Sequence, residues 1–321
     1  MFRAIAVMAA FALVAPIAAP AQTYPSRAVT IVVPYPAGGS VDGVARLLAD
    51  ELAERLKVSV IVENRAGGAG GIVGANTVAR ATPDGYTLML TASIHVITPF
   101  LFNNVPYDVI KDFTPISLVA SGPLIVSTSK TTPANTLAEF FDLVRKDPGK
   151  YTFATSGRGS AGHLTVEMLK RQAGLDTLVV AYRGAGPALM DVIGGRVQLM
   201  ADPFLSSLPQ VLSGELKALA VTSLKRVPLA PDIPTIAESG MQSLEMYSWY
   251  GFWGPKTLPA DIVAVLESVV RAAATAPRFK EHLNALGFEP IGASAADFKT
   301  YINDEMTKYG RIIKEAGLKP E

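Results

Sequence analysis

The sequence predicts an α/β protein of two similar lobes joined by two crossover segments. Three observations predict it: strand and helix patterns alternate, the alternation restarts in mid-chain, and glycine-bearing turns separate strand from helix. Two apolar segments, Ile116–Ser127 and Met246–Gly254, join the blocks. If both are crossovers, the first lobe is built from both chain ends and the second is inserted between them. Two antiparallel connections of this kind make a hinge, and a cleft between lobes can then close on a ligand.

In chain order, Ala28–Val33 is a continuous apolar run ended by Pro34, as expected of a strand buried on both faces. Pro36–Ser40 turns the chain, and Ser40 is placed to cap a helix carrying Val41, Val44, Leu48 and Leu52 at helical spacing. A strand at Val58–Val62 leads to Gly67–Gly71 and a short helix reaching Arg80. The Pro83-Asp84-Gly85 turn opens a strand at Tyr86–Leu90. The second lobe restarts with a strand at Tyr151–Thr155, the turn Ser156–Gly162 and a helix over His163–Gln172. A strand at Leu178–Ala181, a turn at Tyr182–Gly186, a helix through Ile193 and a strand at Val197–Ala201 follow, with further units to Val221. From Pro259 the chain is mostly helical, punctuated by Gly287 and Gly292.

Composition narrows the chemistry. The chain has 321 residues, of which 49% are hydrophobic and 18% charged, so a sizeable core is assured. Lysine plus arginine number 29 against 28 acids, which gives no electrostatic reason to expect nucleic acid. The absence of cysteine excludes disulfides, thiolate nucleophiles, iron–sulfur clusters and cysteine zinc sites. With histidine only at 95, 163 and 282, neither a histidine-built metal site nor a metal cofactor is expected. Met1–Ala21 has Arg3 near its start, an apolar run from Ala4 to Ala15 and a closing Ala19-Pro20-Ala21. That is the anatomy of a secretory signal peptide cut after Ala21, which predicts a soluble exported protein.

Gly157–Gly162 fits G-x-G-x-x-G, yet the next strand ends in Tyr182-Arg183 instead of the acid that a dinucleotide site needs. Exposed N–H groups at such a helix start suit any anion, carboxylates included. Ser160 is no nucleophile elbow, because Arg158 stands where G-x-S-x-G requires glycine. His163 is therefore read as lining or buttressing its loop. Pro36–Ser40, Gly67–Gly71, Ser156–Gly162 and Tyr182–Gly186 all lie at carboxyl ends of strands, where open α/β sheets bind ligands. Asp202, after the Val197–Ala201 strand, either receives a ligand donor or caps the next helix. Trp249, Tyr250, Phe252 and Trp253 are hinge core or a wall for an apolar ligand body, core being favoured.

The motifs as a set resemble the Bug family of periplasmic solute-binding receptors of tripartite tricarboxylate transporters. They are Tyr24-Pro25-Ser26-Arg27, the run Val33 to Asp42 (VPYPAGGSVD), the run Val62 to Gly71 (VENRAGGAGG), Pro83 to Leu88 (PDGYTL), and Tyr107 with Asp112-Phe113. Further along stand Ser160 to Leu164 (SAGHL), Tyr182-Arg183-Gly184, Asp232 to Thr235 (DIPT) and Trp249-Tyr250-Gly251.

The resemblance implies a two-lobed, type II-like Venus-flytrap fold with two crossover strands. It implies capture of a small carboxylate (an organic acid, amino acid or aromatic acid) and delivery to membrane permease subunits, by a monomer without enzymatic activity. Residue by residue, it points to Tyr35, Ala37, Gly38, Gly39 and Ser40, with Gly70 and Gly71 nearby, and to Ser93 and His95 for side-chain contacts. In the second lobe it points to Thr155, Ser156, Gly157, Ser160 and His163, then Tyr182, Gly184 and Ala185, and finally Asp202. Arg158 tunes ligand choice or faces solvent. The expected division is 22–123 and 248–321 for the first lobe and 124–247 for the second. Rival readings are a secreted α/β hydrolase and a ligand sensor partnering a membrane signalling protein.

Overall fold

A computed structural model describes residues 24–241 and 244–321; the leader at 1–21 and its cleavage point after Ala21 lie outside these described residues. The first block runs β1 (Val29–Val33), α1 (Ser40–Leu56), β2 (Val60–Asn64), α2 (Ile72–Ala79), β3 (Thr87–Ala92) and α3 (Ile94–Leu101). A long strand, β4 (Phe113–Ser129), leads into the second block. That block contains α4 (Leu137–Lys146), β5 (Phe153–Thr155), α5 (Ala161–Ala173), β6 (Val179–Ala181), α6 (Ala185–Ile193), β7 (Leu199–Pro203), α7 (Phe204–Leu212) and β8 (Leu216–Val221). The chain returns through β9 (Tyr247–Pro255) to α8 (Ala260–Thr275), α9 (Pro277–Ala285), β10 (Glu289–Pro290) and α10 (Ala295–Glu315).

The strands are ordered β2-β1-β3-β9-β4-β7-β5-β6, with β10 and β8 also on β4. β1 pairs in parallel with β2 and β3, and β5 in parallel with β6 and β7. The antiparallel β4–β9 pair sits between these groups. β4 changes partners along its length: Phe113–Pro123 pair with β9, and Leu124–Ser127 with β7. This strand is the crossover expected at Ile116–Ser127. The return crossover is more compact than its partner, because β9 starts opposite Pro123 and carries no ladder into the second block. Buried Thr222 joins the two connections, accepting the Leu124 N–H at 2.8 Å and donating to the Met246 carbonyl.

Strand alternation explains the layers. Ile31 and Val33 project to a core shared with Val44, Leu48 and Leu52 of α1 and Leu266 and Val270 of α8. Val32 projects to the other face, into a core with Ala75 of α2, Trp249, Trp253, and Phe298 and Ile302 of α10. Both faces are covered, which is why β1 reads as an unbroken apolar run.

Several expectations need correction. Ser40 is the first residue of α1 and does not cap it; Gly39 holds the cap position without any side-chain hydrogen bond. The second strand lies two residues later than Val58–Val62, and the third ends at Ala92 where Leu90 was expected. α5 starts at Ala161, two residues before His163. α3 and α4 were not foreseen. No helix among the described residues is long and apolar enough to cross a membrane.

Candidate functional site

Between the lobes lies a cavity of about 240 Å³. Helices α1, α5 and α6 present their N-termini to it, and the starts of α3, at Ser93 and Ile94, and of α7, at Pro203, also reach its wall. Pro34 ends β1, since it has no N–H to continue the ladder, and Tyr35–Gly39 then bend into α1. The bend is held from behind. Asp42 accepts the Gly38 N–H at 3.0 Å, Arg46 Nε at 3.0 Å and Asn64 Nδ2 at 3.0 Å, and Asn64 also reaches the Tyr35 carbonyl at 3.1 Å. Burial raises the Asp42 carboxyl, but these donors outweigh it and hold the group below the usual carboxylate range. Gly38 takes φ +85°, a backbone conformation open to glycine and strained in other residues. Because no side chain caps α1, its first N–H groups stay available where Gly39–Asp42 line the cavity.

The second helix, α5, is capped by Ser160, whose Oγ accepts the His163 N–H at 3.0 Å and lies 2.8 Å from Thr155 Oγ1. Its first two residues, Ala161 and Gly162, line the cavity. The third helix, α6, starts after Gly184 with no side-chain cap, and Gly184–Pro187 form its part of the wall. Helix N-termini carry partial positive charge, and those of α1 and α6 keep N–H donors that no side chain satisfies, so the three together suit an anion. The charged residues of the lining are Arg183, Asp42 and Asp202.

Of the residues named from sequence, Tyr35, Ala37, Gly38, Gly39, Ser40, Ser93, Ser156, Gly157, Ser160, Gly184, Ala185 and Asp202 lie on the wall. Gly70, Gly71, Thr155, His95, His163 and Tyr182 do not. A Cβ on Gly70 would meet Thr98 Oγ1 at 2.6 Å and one on Gly71 would meet Pro34 Cβ at 2.9 Å, so these glycines let their loop pack within the first lobe. Tyr182 turns outward to donate to Asp191 at 2.7 Å. His163 is a buttress: its Nδ1 accepts the Gly159 N–H at 3.1 Å, and burial, helped by Arg158 and Lys170, lowers its pKa to about 4. His95 is enclosed by the rings of Phe113, Trp253 and Tyr107 at 4.7, 5.2 and 5.7 Å, and burial lowers its pKa to about 3. It follows Ser93 by two positions at the start of α3, about 200° round a helix, which takes it from the cavity side to the core side.

Sequence reasoning left out Leu124 and Ser248, which the two crossovers bring to the cavity. Tyr250 is both alternatives at once, fully buried in the first-lobe core and part of the wall. Asp42 was also missed as a lining residue; its place three residues into a helix that follows a glycine turn is the signal that could have found it. Neither hydroxyl nor imidazole is arranged as a nucleophile and base, since Ser160 Oγ receives a backbone N–H and His163 Nδ1 receives another.

Residues 44–318 match the family model described as the tripartite tricarboxylate transporter family receptor. The solved structure of the periplasmic binding protein BugD is 38% identical, covers 93% of this chain and 100% of its own, and superposes with a TM-score of 0.87. An adipate-bound protein of R. palustris is 34% identical over 93% of this chain and 100% of its own, with a TM-score of 0.90. MatC of Rhodopseudomonas palustris, with bound malate, is 32% identical over 90% of this chain and 100% of its own, with a TM-score of 0.84. With its two-lobed α/β fold, the chain belongs to the Bug-type receptors of the tripartite tricarboxylate transporter family.

Proposed function

We propose that this protein captures a small carboxylate between its lobes in the periplasm and delivers it to the membrane permease subunits of a tripartite tricarboxylate transporter. The observation that carries this reading is the convergence of the α1, α5 and α6 N-termini on one interlobe cavity. Relatives of the same fold hold adipate and malate, which supports the ligand class. The lobes are 22–123 with 248–321, and 124–247. The leader is removed after Ala21, and the receptor acts as a monomer that binds its ligand without transforming it.

A carboxylate panel tests this on the purified mature chain. A ligand at 100 times its Kd adds about 2.7 kcal/mol of stability and raises the melting temperature. Recovery of unchanged ligand after incubation is expected; a new product would point to a secreted hydrolase. Pull-down from membranes with and without ligand separates a permease partner from a signalling protein.

A further inference from the structure

Asp202 lies near the end of β7, opposite Ile125 of β4, and lines the cavity at 1% exposure. Ser206 of α7 donates to its Oδ2, whereas its buried Oδ1 has no hydrogen-bond partner. Around it stand Tyr250 of β9, Ser156 of the turn after β5, and Ser206. β4, β5 and α7 carry no titratable side chain. On α5 the nearest titratable group, His163, is turned to the Gly159 N–H, with Glu167 paired to Lys170; on α6 Asp191 is engaged by Tyr182 and Arg196. On α1 Asp42 is already paired with Arg46, and Arg183 is the one cation of the lining. Burial pushes the Asp202 carboxyl up to about 7, against smaller opposing effects of the Ser206 and Ser156 hydroxyls, and no cation contributes.

A ligand carboxylate drawn to the helix N-termini enters the same small cavity. Two ionised carboxylates there would repel in a poorly solvated space, and Asp202, with one oxygen unpartnered and no paired cation, is the group that gains a proton. We propose that the cavity binds its carboxylate together with one proton taken from solvent onto Asp202, whose Oδ1 then donates a hydrogen bond to an acceptor oxygen of the ligand. This rests on the carboxylate-receptor reading and deepens it. The ligand class it selects is a carboxylate with a second acceptor group, dicarboxylates being the simplest. A ligand ammonium has no place opposite such a donor.

The test is calorimetric titration of the mature chain with malate and with adipate from about pH 6.5 to 9, where both probes are dianions. Kd is expected to weaken roughly tenfold for each unit above pH 7. Titrations near pH 8 in buffers of different ionisation heat are expected to show uptake approaching one proton per ligand. Asp202→Asn keeps a donor and cannot ionise, so it should retain its pH 6.5 affinity to pH 9. A wild-type Kd that stays constant with pH, or binding without proton uptake, overturns the coupling while leaving the receptor reading intact. A folded Asp202→Asn protein that binds neither probe at any pH overturns it too, making an ionised acceptor the better account. If no carboxylate of a broad panel binds even at pH 6.5, the receptor reading falls, and the coupling with it.

Discussion

Arg158 donates a 2.8 Å hydrogen bond to the carbonyl oxygen of Lys319, tying the turn after β5 to the tail beyond α10. Its Nε also lies 3.1 Å from Glu321 Oε1, an ion pair whose angle falls short of a hydrogen bond. Glu321 is anchored in turn, its N–H donating to the Leu101 carbonyl at 3.1 Å and its carbonyl accepting the Asn103 N–H at 2.9 Å. The side chain therefore serves neither as a cavity contact nor as a free solvent-facing charge; it links the two lobes outside the cavity.

Arg158→Ala is accordingly expected to change ligand affinity by less than about tenfold, the scale of one ordinary hydrogen bond. Hydrogen exchange at residues 318–321 should accelerate in the same variant. Loss of binding in a protein with native exchange elsewhere would show that the guanidinium reaches the ligand after all.

Thr222→Val tests the junction of the two crossovers. The substitution keeps shape but leaves the buried Leu124 N–H and Met246 carbonyl without this hydroxyl. Each orphaned group costs about 1–3 kcal/mol, so the melting temperature should fall by several degrees. A variant as stable as wild type would mean that the backbone shifts to re-pair both groups.

Three buried groups dominate how stability depends on pH between about 6 and 5. His95 and His163 have pKa values lowered to about 3 and about 4, so between those values and the ordinary 6.5 the unfolded chain binds their protons and the fold does not. Their stabilising contribution is full above pH 6.5 and is lost as pH falls. Asp202 runs the other way: its carboxyl, raised to about 7, keeps a proton that the unfolded chain releases above about pH 4. Two protons against one leave a net of one, so urea denaturation should show stability falling by about 1.4 kcal/mol per unit from pH 6 to 5, above the range where Asp42 and the other carboxylates of lowered pKa gain protons on unfolding. In Asp202→Asn the opposing group is gone, and the slope should approach about 2.7 kcal/mol per unit. Equal slopes in the two proteins would contradict this assignment.

Two glycines on the cavity wall should respond in opposite ways. Gly39 has φ −86° and open space, so Gly39→Val needs no unusual backbone, whereas the positive φ of Gly38 would strain any side chain there. Gly39→Val should fold normally and bind at least about tenfold more weakly. A Cβ on Gly162 would come 2.1 Å from the Ala201 carbonyl oxygen, forcing α5 away from β7. Gly162→Ala should therefore lose about 1–3 kcal/mol of stability or more, measured by denaturant midpoint. If Gly162→Ala instead melts like wild type, the close approach of α5 to β7 is not needed for the fold.

The parts of this fold that were legible were those whose local pattern and tertiary role agree. β1 is apolar throughout because both faces are covered, and the turns after β1, β5 and β6 carry glycine where the chain reverses into a helix. α3 was not legible: Ile94–Leu101 (IHVITPFL) combines β-branched residues with Pro99 and is buried nearly all round, so its sequence has neither helix propensity nor a polar face. His95 was misplaced for the same reason, since without the helix nothing tells Ser93 from His95. Tyr250 and Ser248 reach the cavity only because β9 returns through the sheet centre, a long-range pairing that no local window contains.

That return also dictates an order of events during synthesis. β9 lies between β3 and β4 in the sheet, yet 117 residues, 130–246, lie between Ser129 at the end of β4 and Tyr247 at the start of β9. Until that stretch has emerged, the facing edges of β3 and β4 have no partner, and the first lobe cannot close its core. A nascent or translocating chain therefore carries two unsatisfied strand edges while most of the second lobe is being made, a state open to strand mispairing with other chains. Long sequence separation of native contacts also slows folding. The first lobe is therefore completed only after the second has been made.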